Sequence, residues 1–182
     1  MSEDVLVRNS SPTLAGLKTG SLFNLTFQSL YEMNICIQGW NQILSRKGLQ
    51  ACPLRIRGTR ALIYVYRPSW LARDLQSPDS FMLLQQYGYC PMFPEQCLSR
   101  LKERLSSEDE FSHEIGLFLG YPPEDVRGFI RDANGQKYTG MWKVYGNVKK
   151  AQRLFEKYKR CTAVYCRQYY SGVPLERLAV AG

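Results

Sequence analysis

The chain has one histidine, His113, and it stands beside an acid in the stretch Phe111-Ser112-His113-Glu114-Ile115-Gly116. Histidine alone has an ordinary pKa near neutrality, so an imidazole next to a carboxylate is a candidate general acid or base, here His113 with Glu114. The nucleophile it would serve is a hydroxyl, Ser10 or Ser11, and the reaction would be acyl or phosphoryl hydrolysis. A cap or a hydrogen-bonded structural role is the commoner use of such a histidine. Leu117 occupies the place of the second histidine in a zincin helix, so that metal signature is missing. The cysteines (Cys36, Cys52, Cys90, Cys97, Cys161, Cys166) contain no CxxC pair, and no metal site is expected from them. The residue pattern assigns no cofactor.

A second set of residues points to binding. Ser10-Ser11-Pro12-Thr13-Leu14-Ala15-Gly16-Leu17-Lys18 is small, polar and glycine-containing, which suits a loop that holds an anion through backbone N–H groups and the Lys18 ammonium. Thr13 and Gly16 belong to that expectation. It is not a P-loop, because Gly16 has no glycine five residues earlier. Further along, Tyr121, Trp142 and Tyr145 are candidates for stacking on a flat ligand, and Asp125 for capping or ligating; aromatic rings near prolines and glycines more often pack a core.

Elements must position these groups. Leu30, Met33, Ile37, Trp40 and Leu44 recur at helical spacing, predicting a helix over about 27–47 that Gly48 ends. Leu54 to Arg57 alternates apolar with basic, Gly58-Thr59 suits a two-residue turn, and Ala61 to Tyr66 is a β-former run, so a hairpin with a central second strand is expected. Short helices follow over about 70–76 and 80–87. A longer one over 95–105 shares Cys97, Leu98, Leu101 and Leu105 on one face, and Ser107-Glu108-Asp109-Glu110 reads as the acidic entry to a segment through Leu119. Another short helix starts at Pro122-Pro123, residues 137–145 read as strand, and Asn147 caps a long helix to about Tyr170. The expected fold class is α+β: one domain over 1–182, a small sheet of three or four strands covered by about six helices, a long C-terminal helix, and residues 1–8 as a flexible leader.

At 182 residues, 45% hydrophobic and 22% charged, the chain is long enough for a core and is neither disordered nor fibrous. No apolar stretch approaches a membrane span and the first residues are acidic, so a cytoplasmic protein with free thiols is expected. The net charge is +8. Residues 137–170 carry nine basic side chains and only Glu156 as acid, a local excess equal to that of the whole chain. Residues 103–125 carry seven acids against Arg104. A long helix needs a solvated outer face, and Lys149, Arg153, Glu156, Arg160 and Arg167 supply one, so nucleic acid is a possible but not favoured partner.

Pro12 to Lys18, His113 to Val126, Gly140 to Tyr145 and Lys159-Arg160-Cys161-Thr162 occur together in this order. In these the chain resembles a bacterial family of domains of unknown function, found mainly in anaerobic Gram-positive bacteria, with PTLAGxK, HEIGxFLGYPPEDV and GxWKVY motifs and a basic helix carrying KCT. The resemblance spans about Arg8 to Leu178, and Arg160 interrupts the KCT adjacency. It implies no established activity. Members often place His-Cys-Ala before the PTLAG run, where this chain has Asn9-Ser10-Ser11; a hydroxyl in place of a thiol weakens the case for nucleophilic catalysis. The leading expectation is a domain that binds a small anionic ligand or cofactor through Lys18 and the Ser10 to Gly16 loop, with His113, Glu114 and Tyr121 nearby. The alternatives are the hydrolase and a nucleic-acid module using the basic helix and Trp142.

Overall fold

The computed structural model describes residues 3–107 and 112–182. In chain order the described elements are α1 (Glu3–Leu14), β1 (Gly20–Thr26), α2 (Leu30–Leu44), β2 (Gln50–Arg57), β3 (Arg60–Tyr66), α3 (Pro68–Leu75), α4 (Pro78–Gln85), α5 (Pro94–Ser107), α6 (Ile115–Phe118), α7 (Pro123–Arg131), β4 (Tyr138–Thr139), β5 (Lys143–Val144), α8 (Val148–Tyr170) and α9 (Leu175–Leu178). This is an α+β architecture with a three-stranded antiparallel sheet, a separate two-stranded ladder and a long C-terminal helix. The chain divides into two compact units, Met1–Ser69 with Arg160–Gly182, and Trp70–Lys159.

In the first unit the sheet order is β1-β3-β2, so β3 is central, and it is buried from Ala61 to Tyr66. Gly58 turns the β2–β3 hairpin with φ +56°, a backbone region that glycine enters without a Cβ penalty. β1 is an addition to the sequence reading: Phe23, Leu25 and Phe27 point inward at a period of two while Asn24 and Thr26 stay exposed. α2 starts where Ser29 accepts from the Glu32 N–H at 3.2 Å, and the Glu32 carboxylate accepts from the Gln28 N–H at 2.9 Å. Its buried stripe is Met33, Ile37, Trp40 and Leu44, and Gly48, at φ +71°, closes the turn that follows it. The Asn41 amide both donates to the Ala51 carbonyl and accepts from the Ala51 N–H, each at 2.8 Å, and so covers backbone groups of the edge strand β2.

Residues 3–8 and 10–18 differ from the sequence reading. In place of a polar leader and a loop, Glu3–Leu14 is helix α1, with Glu3 and Asp4 in its first turn and Leu6, Val7 and Leu14 buried in the core of this unit. The polar Ser10, Ser11 and Thr13 hide this helix from a periodicity argument, because they too are buried.

In the second unit α5 buries Cys97, Leu98, Leu101 and Leu105, as its spacing predicts. The acidic entry expected at Glu108 to Glu110 lies outside the described residues. α7 packs on α4, α6 and β5. Residues 137–145 are not one strand but a tight hairpin, with Tyr138 paired to Val144 and Thr139 to Lys143. In the turn between them position 140 must be glycine, because an added Cβ would stand 2.2 Å from the Phe155 ring. The Asn147 side chain accepts from the Lys150 N–H at 3.0 Å and starts α8, whose Ala151 and Phe155 form a small core with Val144.

Candidate functional site

The Ser10 to Lys18 segment is the C-terminal end of α1 and the turn after it. Ala15 N–H donates to the Ser11 carbonyl at 2.9 Å, Gly16 N–H to Thr13 at 3.2 Å and Leu17 N–H to Pro12 at 2.8 Å, with Gly16 at φ +67°. These are the bonds of a helix C-cap, so the N–H groups that an anion cradle needs are already donated. A helix C-terminus carries partial negative charge, which favours a cation. Arg67 supplies it: fully buried, it donates to the carbonyls of Thr13 at 2.9 Å, Leu14 at 2.9 Å and Val180 at 2.8 Å. The sequence reading missed Arg67, although a charged residue ending an all-buried strand was a visible signal.

The hydroxyls of this segment face inward. Thr13 Oγ1 bonds Ser21 Oγ at 2.8 Å, Ser11 Oγ donates to the Val7 carbonyl at 2.5 Å, and Ser10 Oγ is buried with no hydrogen-bond partner among the described residues. Burial pulls the Lys18 ammonium down to about 8.

His113, Glu114, Tyr121, Asp125, Trp142 and Tyr145 belong to the other unit. His113 is exposed and meets the Phe129 ring edge-on at 4.8 Å. Glu114 is buried, and its Oε1 accepts from Arg104 Nε at 2.7 Å and from the Tyr89 hydroxyl at 2.8 Å. Burial and the Glu114 charge push the Tyr89 hydroxyl far above its ordinary range, so it stays a donor to that carboxylate.

The remaining four come together. Buried Asp125 accepts from Trp142 Nε1 at 2.8 Å, from the Tyr145 N–H at 2.7 Å and from the Gly146 N–H at 2.8 Å. Tyr121 and Trp142 stack on each other with centroids 4.4 Å apart, and Trp142 meets Phe155 edge-on at 4.5 Å. This cluster ties the β4–β5 hairpin to α7 and to α8, and two of the three rings offered for stacking on a ligand stack here on one another.

An open cavity of about 460 Å³ lies along the first half of α8, lined by Asn147, Lys149, Lys150, Arg153, Leu154 and Lys157. All four cations are exposed, and none forms an ion pair with a described residue. The first turn of α8 holds Lys149 and Lys150 and no acid, the reverse of what the dipole of a helix N-terminus favours. Glu124, from α7, lies against Gly146 at the entry to the helix. The sequence reading took these cations for a solvated face. All four are exposed, as that reading expects. Among the described residues no group of three His, Cys, Asp or Glu side chains is placed to hold a metal, and no helix is long and apolar enough to cross a membrane.

Fold and site thus define an α+β domain with a cationic cavity on its long helix. The chain belongs to the family described as "Protein of unknown function (DUF3793)", whose model matches residues 6–179. No curated protein and no solved structure matches it.

Proposed function

We propose that this domain binds a small phosphorylated anion in the cavity on the first half of α8. The observation that carries the reading is the convergence of Lys149, Lys150, Arg153 and Lys157 on one cavity with no carboxylate paired to them among the described residues. The ligand class expected from the sequence is kept, and its position moves from the Ser10 to Lys18 segment to α8. Like charges at i, i+4 along a helix destabilise it, as do cations in its first turn, so an unrelieved row of this kind is a local conflict of the sort found at binding sites.

The test is thermal unfolding of the full chain with inorganic phosphate at matched ionic strength. At a phosphate concentration ten times its Kd, binding to the folded state adds about 1.4 kcal/mol. That raises Tm by roughly 3–5 °C for a chain of this size. The double variant Lys149→Gln/Arg153→Gln should lose the rise. No rise in the wild type, or an equal rise in the variant, overturns the reading.

A further inference from the structure

The row of cations on α8 also constrains the shape of its ligand. Resting on the anion-binding reading above, we infer that the ligand carries a linear run of two or more phosphoryl groups, a diphosphate or a longer polyphosphate, rather than a single phosphate. Lys149, Arg153 and Lys157 are four residues apart, so along the helix they are spaced by about 6 Å and the row is about 12 Å long. Each is rotated by only about 40° from the one before it, and Lys150 flanks them within a stripe about 100° wide. The three therefore form a track, not a ring.

Charge and geometry agree on what such a track holds. A phosphoryl group carries about −1.5 to −2 near neutral pH, so the four cations of the cavity balance about two such groups and exceed the charge of one. Gathering all four head groups around a single phosphate would bring like charges together and freeze four long side chains. A linear polyphosphate meets each cation near its own position on the helix. The groove also lacks what a nucleic-acid strand uses besides charge. Its described lining contains Leu154 as the apolar side chain and no aromatic ring on which a base would stack. Trp142 and Tyr121, which the sequence offers for stacking on a flat ligand, stack on one another instead.

Calorimetric titration of the full chain with phosphate, pyrophosphate and tripolyphosphate at matched ionic strength decides the matter. Pyrophosphate is expected to bind about tenfold more tightly than phosphate, and tripolyphosphate more tightly again, as each added phosphoryl group meets a further cation. In the variant Lys149→Gln/Lys157→Gln, whose helical circular dichroism should be unchanged, the series flattens to the affinity of phosphate. Arg153→Gln, at the centre of the row, weakens all three anions. Equal affinity for phosphate and tripolyphosphate overturns the inference and leaves anion binding standing. Tighter binding of a ten-nucleotide oligothymidylate than of tripolyphosphate overturns it in favour of a nucleic-acid strand. If none of the three phosphates binds, the function proposed above fails and this inference fails with it.

Discussion

Asp125 accepts three hydrogen bonds, from an indole and from two successive backbone amides, in a site where only 3% of the residue meets solvent. Its replacement by alanine leaves three half-buried donors without their acceptor at once, and hydrogen bonds to a charged acceptor are the strong ones, so Asp125→Ala should cost about 3 kcal/mol in chemical denaturation. A loss under 1 kcal/mol would mean that the hairpin does not depend on this carboxylate. Ser10 is the opposite case. Its hydroxyl is fully buried with no hydrogen-bond partner among the described residues, so removing it relieves a desolvation penalty. Ser10→Ala should be neutral or stabilising by up to about 1 kcal/mol, whereas Ser11→Ala, which gives up a bond to the Val7 carbonyl, should not be stabilising. Lys18 makes a pH-dependent prediction. Burial lowers its pKa to about 8 in the folded chain, against an ordinary value of 10.5. Between those values the unfolded chain holds a proton that the folded chain has released, so stability from this group rises with pH across that window and is flat below it. Relative to Lys18→Met, the wild type should gain on the order of 2 kcal/mol between pH 8 and pH 10. Parallel stability curves for the two proteins would contradict it.

At the scale of elements, the β4–β5 hairpin shows how small a margin holds a two-residue ladder in place. Its strands are too short to be stable alone, and they persist because Val144 and Trp142 pack with Phe155 and Ala151 of α8. Gly140 lets the turn lie on the Phe155 ring, where a Cβ would stand 2.2 Å from a ring carbon. Gly140→Ala should therefore destabilise the second unit by about 1–3 kcal/mol, the usual cost of overpacking, with loss of near-ultraviolet circular dichroism from Trp142 before the helical signal falls. The same elements show what could be read from sequence. α2, α5, α8 and the β2–β3 hairpin were legible because an apolar stripe or run repeats at the right period, and α2 and α8 also lie between a capping side chain and a glycine. α1 was not legible, because its buried face is made of Ser10, Ser11 and Thr13 as much as of Leu6, Val7 and Leu14. β1 carries its signal on Phe23, Leu25 and Phe27 alone, directly after a glycine-rich turn. For the site, types were legible and partners were not. Asp125, Trp142, Tyr145 and Tyr121 were singled out together, yet only tertiary structure shows that they bond to and stack on each other.

Across the whole molecule, the net charge of +8 is the excess of residues 137–170, and α8 holds most of those basic side chains. Of the acids described between 103 and 125, Glu114 is bonded to Arg104 and Tyr89, Asp125 to the hairpin and Glu103 to Arg100, while Glu124 lies against Gly146 at the entry to α8 without an ion pair to the row among the described residues. The first half of α8 thus carries charges that oppose helix stability, with lysines in the first turn and like charges at i, i+4 from Lys149 through Lys157. If that arrangement persists for the sake of a ligand, stability and binding must be separable in opposite directions by one substitution. Lys149→Glu is the sharpest form. It puts an acid in the first turn, removes one repulsion and creates a Glu-to-Arg153 pair at i, i+4. The free protein should gain about 0.5–1 kcal/mol, read as a Tm rise of roughly 1–4 °C at low salt. Added sodium chloride should shrink the gain, since the charges involved are exposed. The same variant should lose its response to phosphate and pyrophosphate. A variant that is less stable than the wild type would show that the row on α8 is not in conflict with the fold, and one that still binds both anions would show that Lys149 does not hold them.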